Sequence, residues 1–431
     1  MKNIWRQKNQ NLGICFKMHK HISFYEALQI LQDVPINAIG KEKIVFSDAL
    51  GRTLGEDIVA EENMPKFPTS SMDGYAFRYE DIDLLYSEGL ILQGDNPAGD
   101  ERELELNPKM AIKTFTGSRM PKNSDTLIIV ESVFCKDGRI FLNPQVTSPK
   151  KGDWVRQIGE NYAKGDMLLQ KGTLISPYEI GLLADLNRVF IEVFRKPRVG
   201  ILSGGAEIVE VGQEVKVKNC VRSVNNHLLK AMVASMGGEG ILYPIMPDDK
   251  EKIVAMMSQA FLDCDILLTT GGMSMGDYDF TQEAMAQICE IIFKGVRIKP
   301  GKPISYALYH YGAQKKPLLA LAGFPNSAAI TFYLFGSVIF AKMFQKSYQH
   351  HFIKAFLKED ILRTDSRMEF RVCDLEVKEG RYEVSFSSKR VLQSSVVNNL
   401  CGNSGLVALE ENGGALRKGD EVEVLLFKNF L

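Results

Sequence analysis

The sequence predicts a multi-domain α/β protein, in which a central α/β domain built on a parallel sheet is preceded by a β-rich insertion domain and followed by a C-terminal β-barrel-like domain. Three patterns carry that prediction. After Pro197, strand-like and helix-like stretches alternate over 198–203, 225–236, 240–243, a helical run after Asp248, and 265–269. Regular alternation of this kind gives a mostly parallel sheet with helices on both faces and a ligand site at the carboxyl ends of the strands. Within 90–143, short β-rich runs at 90–92, 110–115 and 126–130 are separated by turn signals, as in a small β domain. From Phe352 onward the stretches 371–372, 382–386 and 421–426 alternate apolar and polar residues at period two, the pattern of half-exposed strands.

A chain of 431 residues is too long for one core and predicts roughly two to four domains. Its 52 basic and 53 acidic residues nearly cancel, which argues against a nucleic-acid surface and against a polybasic membrane anchor. Any anion site must therefore be local. The cysteines, Cys15, Cys135, Cys220, Cys264, Cys289, Cys373 and Cys401, are odd in number and scattered, with no Cys-x-x-Cys pair. That pattern fits a reducing, cytoplasmic setting better than a disulfide framework or a structural zinc. No apolar run approaches the length that spans a bilayer, and 12–16 is too short for the core of a signal peptide. Residues 1–20 are rich in Lys, Asn and Gln without periodicity, and read either as a disordered arm or as an upstream start with Met18 as the initiator.

Order is expected from Ser23, where Ser23-Phe24-Tyr25-Glu26 has the spacing of a capping box ahead of Ala27, Leu28 and Leu31. In the loop 67–76, Gly74 permits a backbone angle few residues take, and Asp73 beside it either caps a turn or serves a site. Thr116-Gly117, followed by Pro121 and Asp125-Thr126, reads on its own residues as a hairpin exit. The amphipathic run 165–193 offers Ile175, Ile180, Leu182, Leu183 and Leu186 to a core, with Pro177 in the first turn of its helix. Further on, Leu228, Leu229, Met232, Val233 and Met236 form the buried face of a helix that Gly237-Gly238 end, and Asp248 is expected to cap the next one.

The candidate chemistry lies in 265–302. An apolar strand stops at Thr270-Gly271-Gly272, where glycines let an oxyanion approach main-chain N–H groups and Ser274 adds a hydroxyl. Asp277 and Asp279 precede a helical run in which Ala284, Met285, Ile288, Cys289 and Ile292 share one face. The loop thus stands at a helix N-terminus, which favours anions. Lys299-Pro300-Gly301-Lys302-Pro303 brings two ammonium groups, and the two carboxylates suggest hydrated Mg²⁺ beside the anion. The turn is not a Walker A loop, because Pro303 stands where Ser or Thr would meet Mg²⁺. Nor is it a dinucleotide fingerprint, because no second glycine pair at Rossmann spacing opens the helix.

Three segments, Pro68-Thr69-Ser70-Ser71-Met72-Asp73-Gly74-Tyr75-Ala76, Thr269-Thr270-Gly271-Gly272-Met273-Ser274-Met275-Gly276-Asp277-Tyr278-Asp279 and Lys299-Pro300-Gly301-Lys302-Pro303, resemble in order the signatures of the molybdopterin molybdenumtransferases. These are the last enzymes of molybdenum-cofactor synthesis, and the gephyrin E-domain is similar to them. The resemblance spans most of the chain. After the 1–20 arm, it implies a discontinuous linker domain from 21–66 and 162–196, the β-rich insertion domain over 67–161, a molybdopterin-binding α/β domain over 197–347 and a C-terminal β domain over 348–431. It implies Asp73, Glu207 and Asp279 as catalytic carboxylates, with Asp277 joining them around Mg²⁺. It implies substrate contacts from Thr116, Asn225, Thr270, Gly271, Gly272, Ser274, Gly276, Lys299, Pro300, Gly301, Lys302, Pro325, Ser327 and Arg371.

The activity so implied is insertion of molybdate into adenylylated molybdopterin with release of AMP, by a cytoplasmic homodimer in transient contact with the adenylyltransferase. Nucleic acid and membrane are not expected partners. The chain also departs from the family pattern. Asn161 stands where the family has an acid, and Gly204 and Ala206 replace the threonine and aspartate of a Ser-Thr-Gly-Asp-Glu loop. Ser223 replaces an aspartate, the 323–327 loop is shortened, and Asn398-Asn399 stand where a serine pair is common. These departures keep open a second reading, a non-catalytic paralogue that binds or carries molybdopterin or molybdate. Retention of Asp73, Glu207, Asp279 and both lysines favours the enzyme, because a degenerate copy is expected to lose its carboxylates first.

Overall fold

The computed structural model describes residues 19–205, 207–214, 220–271, 280–363, 365–389 and 395–427. The expected arm and Met18 lie outside them, apart from His19 and Lys20. Those two open strand β1, His19–Ile22, which pairs in parallel with the strand Glu290–Val296 and buries Ile22. Backbone pairing orders a segment that has no amphipathic signal of its own. The chain divides into two compact units, one formed by Met1–Glu56 with Lys171–Leu431, the other by Asp57–Gln170.

The first unit is built on a seven-stranded sheet. Its other strands are β2 Arg198–Ser203, β3 Glu239–Leu242, β4 Ile266–Thr270, β5 Glu290–Val296, β6 Ser305–Tyr311 and β7 Gln314–Leu321, in the spatial order β1-β5-β6-β7-β4-β2-β3. β7, β4, β2 and β3 run parallel to one another, and β1 is parallel to β5. β6 is antiparallel to both β5 and β7, so the sheet is mixed but mostly parallel. All five residues of β4 are buried, as a strand covered on both faces requires.

Helix α1, Phe24–Asp33, starts with the Ser23 hydroxyl accepting the Glu26 N–H and buries Phe24, Ala27 and Leu31. α2, Pro177–Asp185, opens on a complete capping box, Ser176 with Glu179, one residue ahead of the proline that marks it in the sequence. α3, Val224–Ser235, buries Leu229 and Val233, and Gly237 follows it with φ +82°. α4, Lys250–Asp263, is capped by Asp249 rather than Asp248. Asp249 is the extended residue whose carboxylate accepts the Lys252 N–H at 3.0 Å.

α5, Phe280–Ile288, is shorter than its apolar period predicts. Cys289 follows its last turn, and Ile292 belongs to β5, where pairing with β6 overrides the helical spacing. α6, Pro325–Thr331, continues through a π-helical stretch, Phe332–Gly336, into α7, Ser337–Met343. Nearly every residue of this rod is buried, and with β1, α1 and the sheet it forms the largest apolar core.

At the C-terminal end of the same unit, Met368–Lys378, Arg381–Ser385, Phe352–Leu357, Glu421–Leu425 and Ser404–Leu409 pair in that order. Met368–Lys378 also pairs with Ser404–Leu409, so the sheet closes into a five-stranded barrel. The two-residue strand Ile298–Lys299 adds to its edge beside Met368 and Glu369.

The second unit holds a six-stranded sheet in the order Thr126–Ile129, Gly74–Phe77, Met110–Thr114, Leu90–Asn96, Arg139–Leu142, Val133–Lys136. Tyr75, Phe77, Leu90, Ile128 and Ile140 fill its core. Among the described residues, no helix is long and apolar enough to cross a membrane.

Candidate active site

The parallel strands β2, β4 and β7 are adjacent, so their carboxyl ends bring three glycines to one place: Gly204 and Gly271 directly after β2 and β4, and Gly323 two residues after β7. Gly271 has φ +85°, and a Cβ there would lie 2.1 Å from the carbonyl oxygen of Gly204. The Gly204 N–H in turn donates to the Thr270 carbonyl at 2.8 Å. A Cβ on Gly323 would lie 3.6 Å from the Gly271 Cα. The three backbones therefore meet as a floor with no side chains between them, the form that lets main-chain groups approach a ligand.

Polar side chains frame that floor. Asn225, in the first turn of α3, donates from Nδ2 to the Gly323 carbonyl at 2.8 Å. Its Oδ1, like the Ser223 hydroxyl, is buried without a hydrogen-bond partner among the described residues. A buried polar group left so costs about 1–3 kcal/mol, which a polar ligand group would offset. Pro325 opens α6 beside this floor, and Ser327 is buried in the same helix. Glu207 is exposed, and its carboxylate folds back to 2.7 Å from where a Cβ on Gly205 would stand, a position where φ is +142°.

Thr270 departs from its expected role. It is fully buried, and its hydroxyl donates to Ser203 Oγ at 2.9 Å, which donates to Asn226 Oδ1 at 2.5 Å. That relay ties the ends of β4 and β2 to α3, so the hydroxyl is not available to a substrate. Gly272, Ser274, Gly276, Asp277 and Asp279 lie outside the described residues.

The lysine turn packs at the other end of α6. Gly301 has φ +97°, and a Cβ on it would lie 2.1 Å from the Thr331 methyl. Thr331 is the last residue of α6, so the seven residues of that helix, about 10 Å of rise, separate the glycine floor from Lys299-Pro300-Gly301-Lys302. Lys302 is exposed and makes no ion pair or hydrogen bond through its side chain among the described residues. Lys299 is different. Its Nζ lies 3.6 Å from Glu369 Oε2, while Arg371 Nε donates to Glu369 Oε1 at 2.8 Å. Glu369, only 5 % exposed, is thus shared by two expected oxyanion ligands. It is a site residue that sequence reasoning missed. The available signal is its place two residues before Arg371, which puts both side chains on one face of a strand. Beside it, the Arg367 guanidinium holds the Asp365 carboxyl well below the usual carboxylate range, with the Lys299 charge adding to the effect.

In the second unit, Asp73 and Thr116 come together. The Thr116 N–H and hydroxyl both donate to Asp73 Oδ1, at 2.8 and 2.7 Å. These bonds hold the exposed carboxyl below its ordinary value, with Lys113 assisting. The Asp73 loop is fixed from below, as Ser70 N–H donates to the Ser118 carbonyl and Gly117 N–H to the Ser70 carbonyl. Asn161 sits in a turn whose Asn161 N–H donates to the Met64 carbonyl at 2.9 Å.

Comparison with known proteins finds related families and structures. Residues 22–186 match the MoeA N-terminal region (domain I and II), and 200–341 match a probable molybdopterin binding domain. A molybdopterin molybdenumtransferase of Nostoc sp. is 31 % identical over 385 residues, covering 88 % of this chain and 86 % of that protein. The enzyme of the same name from Haemophilus influenzae is 29 % identical over 90 % of this chain and 95 % of its own. Among solved structures, the molybdopterin biosynthesis MoeA protein of Pyrococcus horikoshii OT3 superposes with a TM-score of 0.79 at 30 % identity, covering 94 % of this chain and all of that one.

Proposed function

The chain belongs to the MoeA family of molybdenum-cofactor biosynthesis, and from that membership we propose that it is a molybdopterin molybdenumtransferase, which inserts molybdate into adenylylated molybdopterin and releases AMP. The observation that carries this reading is the backbone floor of Gly204, Gly271 and Gly323 with two unsatisfied buried polar atoms, one short helix away from Lys299, Lys302 and Arg371. The floor suits a polar, extended ligand. The cationic end suits oxyanions, whose charge the ammonium and guanidinium donors stabilise as it develops. Asp73 is ionised at neutral pH, with one oxygen pinned and Oδ2 open, so it can orient a water or a cation at a fixed point.

Mg²⁺ fits this set in a limited way. The described residues contain no group of three or more His, Cys, Asp or Glu able to hold a metal. Asp73 and Glu207 are each exposed carboxylates without an ion pair among the described residues. A single carboxylate suffices for Mg²⁺ when substrate phosphate oxygens and waters complete its octahedron. Bound at Asp73 or at Glu207, the ion would neutralise phosphate charge as AMP leaves.

A second reading, a paralogue that binds molybdopterin or molybdate without turnover, draws support from Gly204. A Cβ there would meet the Met246 methyl at 3.1 Å, so the space of the family's threonine is partly filled by Met246. The two readings separate on incubation of the purified chain with adenylylated molybdopterin, Mg²⁺ and molybdate. AMP release with formation of active cofactor is expected, and binding without AMP selects the carrier. The proposal extends to a cytoplasmic homodimer supplied by the adenylyltransferase. Light scattering checks the dimer against the 48.3 kDa chain mass, and an active monomer would refute it.

A further inference from the structure

We propose that Glu369 is a positioning residue that sets how tightly the lysine turn holds an oxyanion. The inference rests on the reading that this turn binds one. Lys299 and Glu369 face each other in parallel register between Ile298–Lys299 and Met368–Lys378, which fixes their spacing through the backbone. One carboxylate then serves two cations on separate oxygens, Lys299 on Oε2 and Arg371 on Oε1. Arg371 uses only Nε for this, and neither Nη donates a hydrogen bond among the described residues. The Arg371 side chain is 10 % exposed and that of Lys299 38 %, both more than the 5 % of Glu369. Arg371 Nη and Lys299 Nζ thus remain as donors among the described residues, with one of their two charges cancelled in advance.

That cancellation has a chemical use. Two uncompensated cations in a partly buried place would hold any divalent oxyanion tightly, because attraction grows as solvent is excluded. A site that must hand its oxyanion on needs orientation without a deep binding minimum, since interactions made equally with the bound ground state do not speed the reaction. Glu369 supplies orientation to both cations and lowers their net pull.

Isothermal titration of the full chain with molybdate, and with sulfate as a second probe, reads this directly. Glu369→Gln keeps size and removes charge. It is expected to bind both anions roughly tenfold more tightly, as removal of a counter-charge within salt-bridge reach implies. In turnover, KM for molybdate and kcat should fall together, a split that loss of structural support would not produce. Glu369→Asp keeps the charge and should stay near wild type. If Glu369→Gln does not fold, the double variant Glu369→Gln with Lys299→Gln removes one charge of each sign. Its affinity should match wild type, while Lys299→Gln alone binds more weakly. Wild-type or weaker affinity in folded Glu369→Gln, or a double variant as weak as Lys299→Gln, overturns the assignment of Glu369 alone, provided that wild type binds and Lys302→Ala weakens binding. No anion binding by wild type overturns the oxyanion reading and this inference with it.

Discussion

Thr116 donates both its amide N–H and its hydroxyl to a single oxygen of Asp73, 43 residues away, and leaves the other oxygen open. Both bonds favour the carboxylate, so the Asp73 pKa is depressed and its charge persists below the ordinary carboxylate range. By linkage, the stabilisation it brings is fully present above the unfolded pKa and is lost as pH falls through the lower folded one. An acidic limb of AMP release governed by Asp73 should therefore lie below the range of an ordinary aspartate. Thr116→Val removes the hydroxyl bond and keeps the amide bond, so that limb should move to higher pH while melting temperature barely changes. Asp73→Asn should abolish AMP release with the fold intact. Full turnover by that variant would remove Asp73 from the reaction.

The glycine floor makes a contrast that a melting experiment can read. Gly271→Ala places a methyl against the Gly204 carbonyl at a backbone angle alanine rarely adopts. A cost of about 1–3 kcal/mol is expected from the strain alone, with more from the clash. Gly323→Ala, whose methyl meets nothing closer than 3.6 Å among the described residues, should be tolerated. Equal melting temperatures for the two variants would contradict the geometry of the floor.

The two lysines should separate as well. Lys302→Ala removes an exposed ammonium with no protein partner among the described residues, so molybdate affinity should fall about tenfold or more, the range of a charge-assisted contact, with melting unchanged. Lys299→Ala also strips a partner from buried Glu369, so stability should fall alongside affinity, by about 1 kcal/mol, because Arg371 still satisfies the other oxygen. Identical melting curves for the two variants, measured by calorimetry, would count against the ion pair.

The parts of this protein that depend on local chemistry are legible in its sequence. The mostly parallel sheet follows from the alternation after Pro197, and Gly271 and Gly301 stand at positive φ where each turn needs it. What depends on distant partners is not legible. Thr270 reads as a loop hydroxyl, yet Ser203 and Asn226 reach it from another strand and another helix. Ile292 fits a helical face, yet it lies within β5, at the irregularity where that strand pairs with β6. Glu369 is an ordinary acid until Ile298–Lys299 is laid beside it. Asp248 and Asp249 differ only in which carboxylate meets the Lys252 N–H, a choice made by one extended backbone angle.

The contact between Gly301 and Thr331 joins a turn to the end of a buried rod, with a methyl group filling the space a side chain at 301 would need. Neither position is free to vary alone. In related sequences the pair should behave as one inherited character: a bulkier residue at 331 keeps glycine at 301, and any side chain at 301 requires serine, alanine or glycine at 331. A lineage that broke this rule would have to tilt the rod, and with it the backbone floor at the rod's other end, so drift at a residue that touches no ligand would be recorded as altered substrate preference.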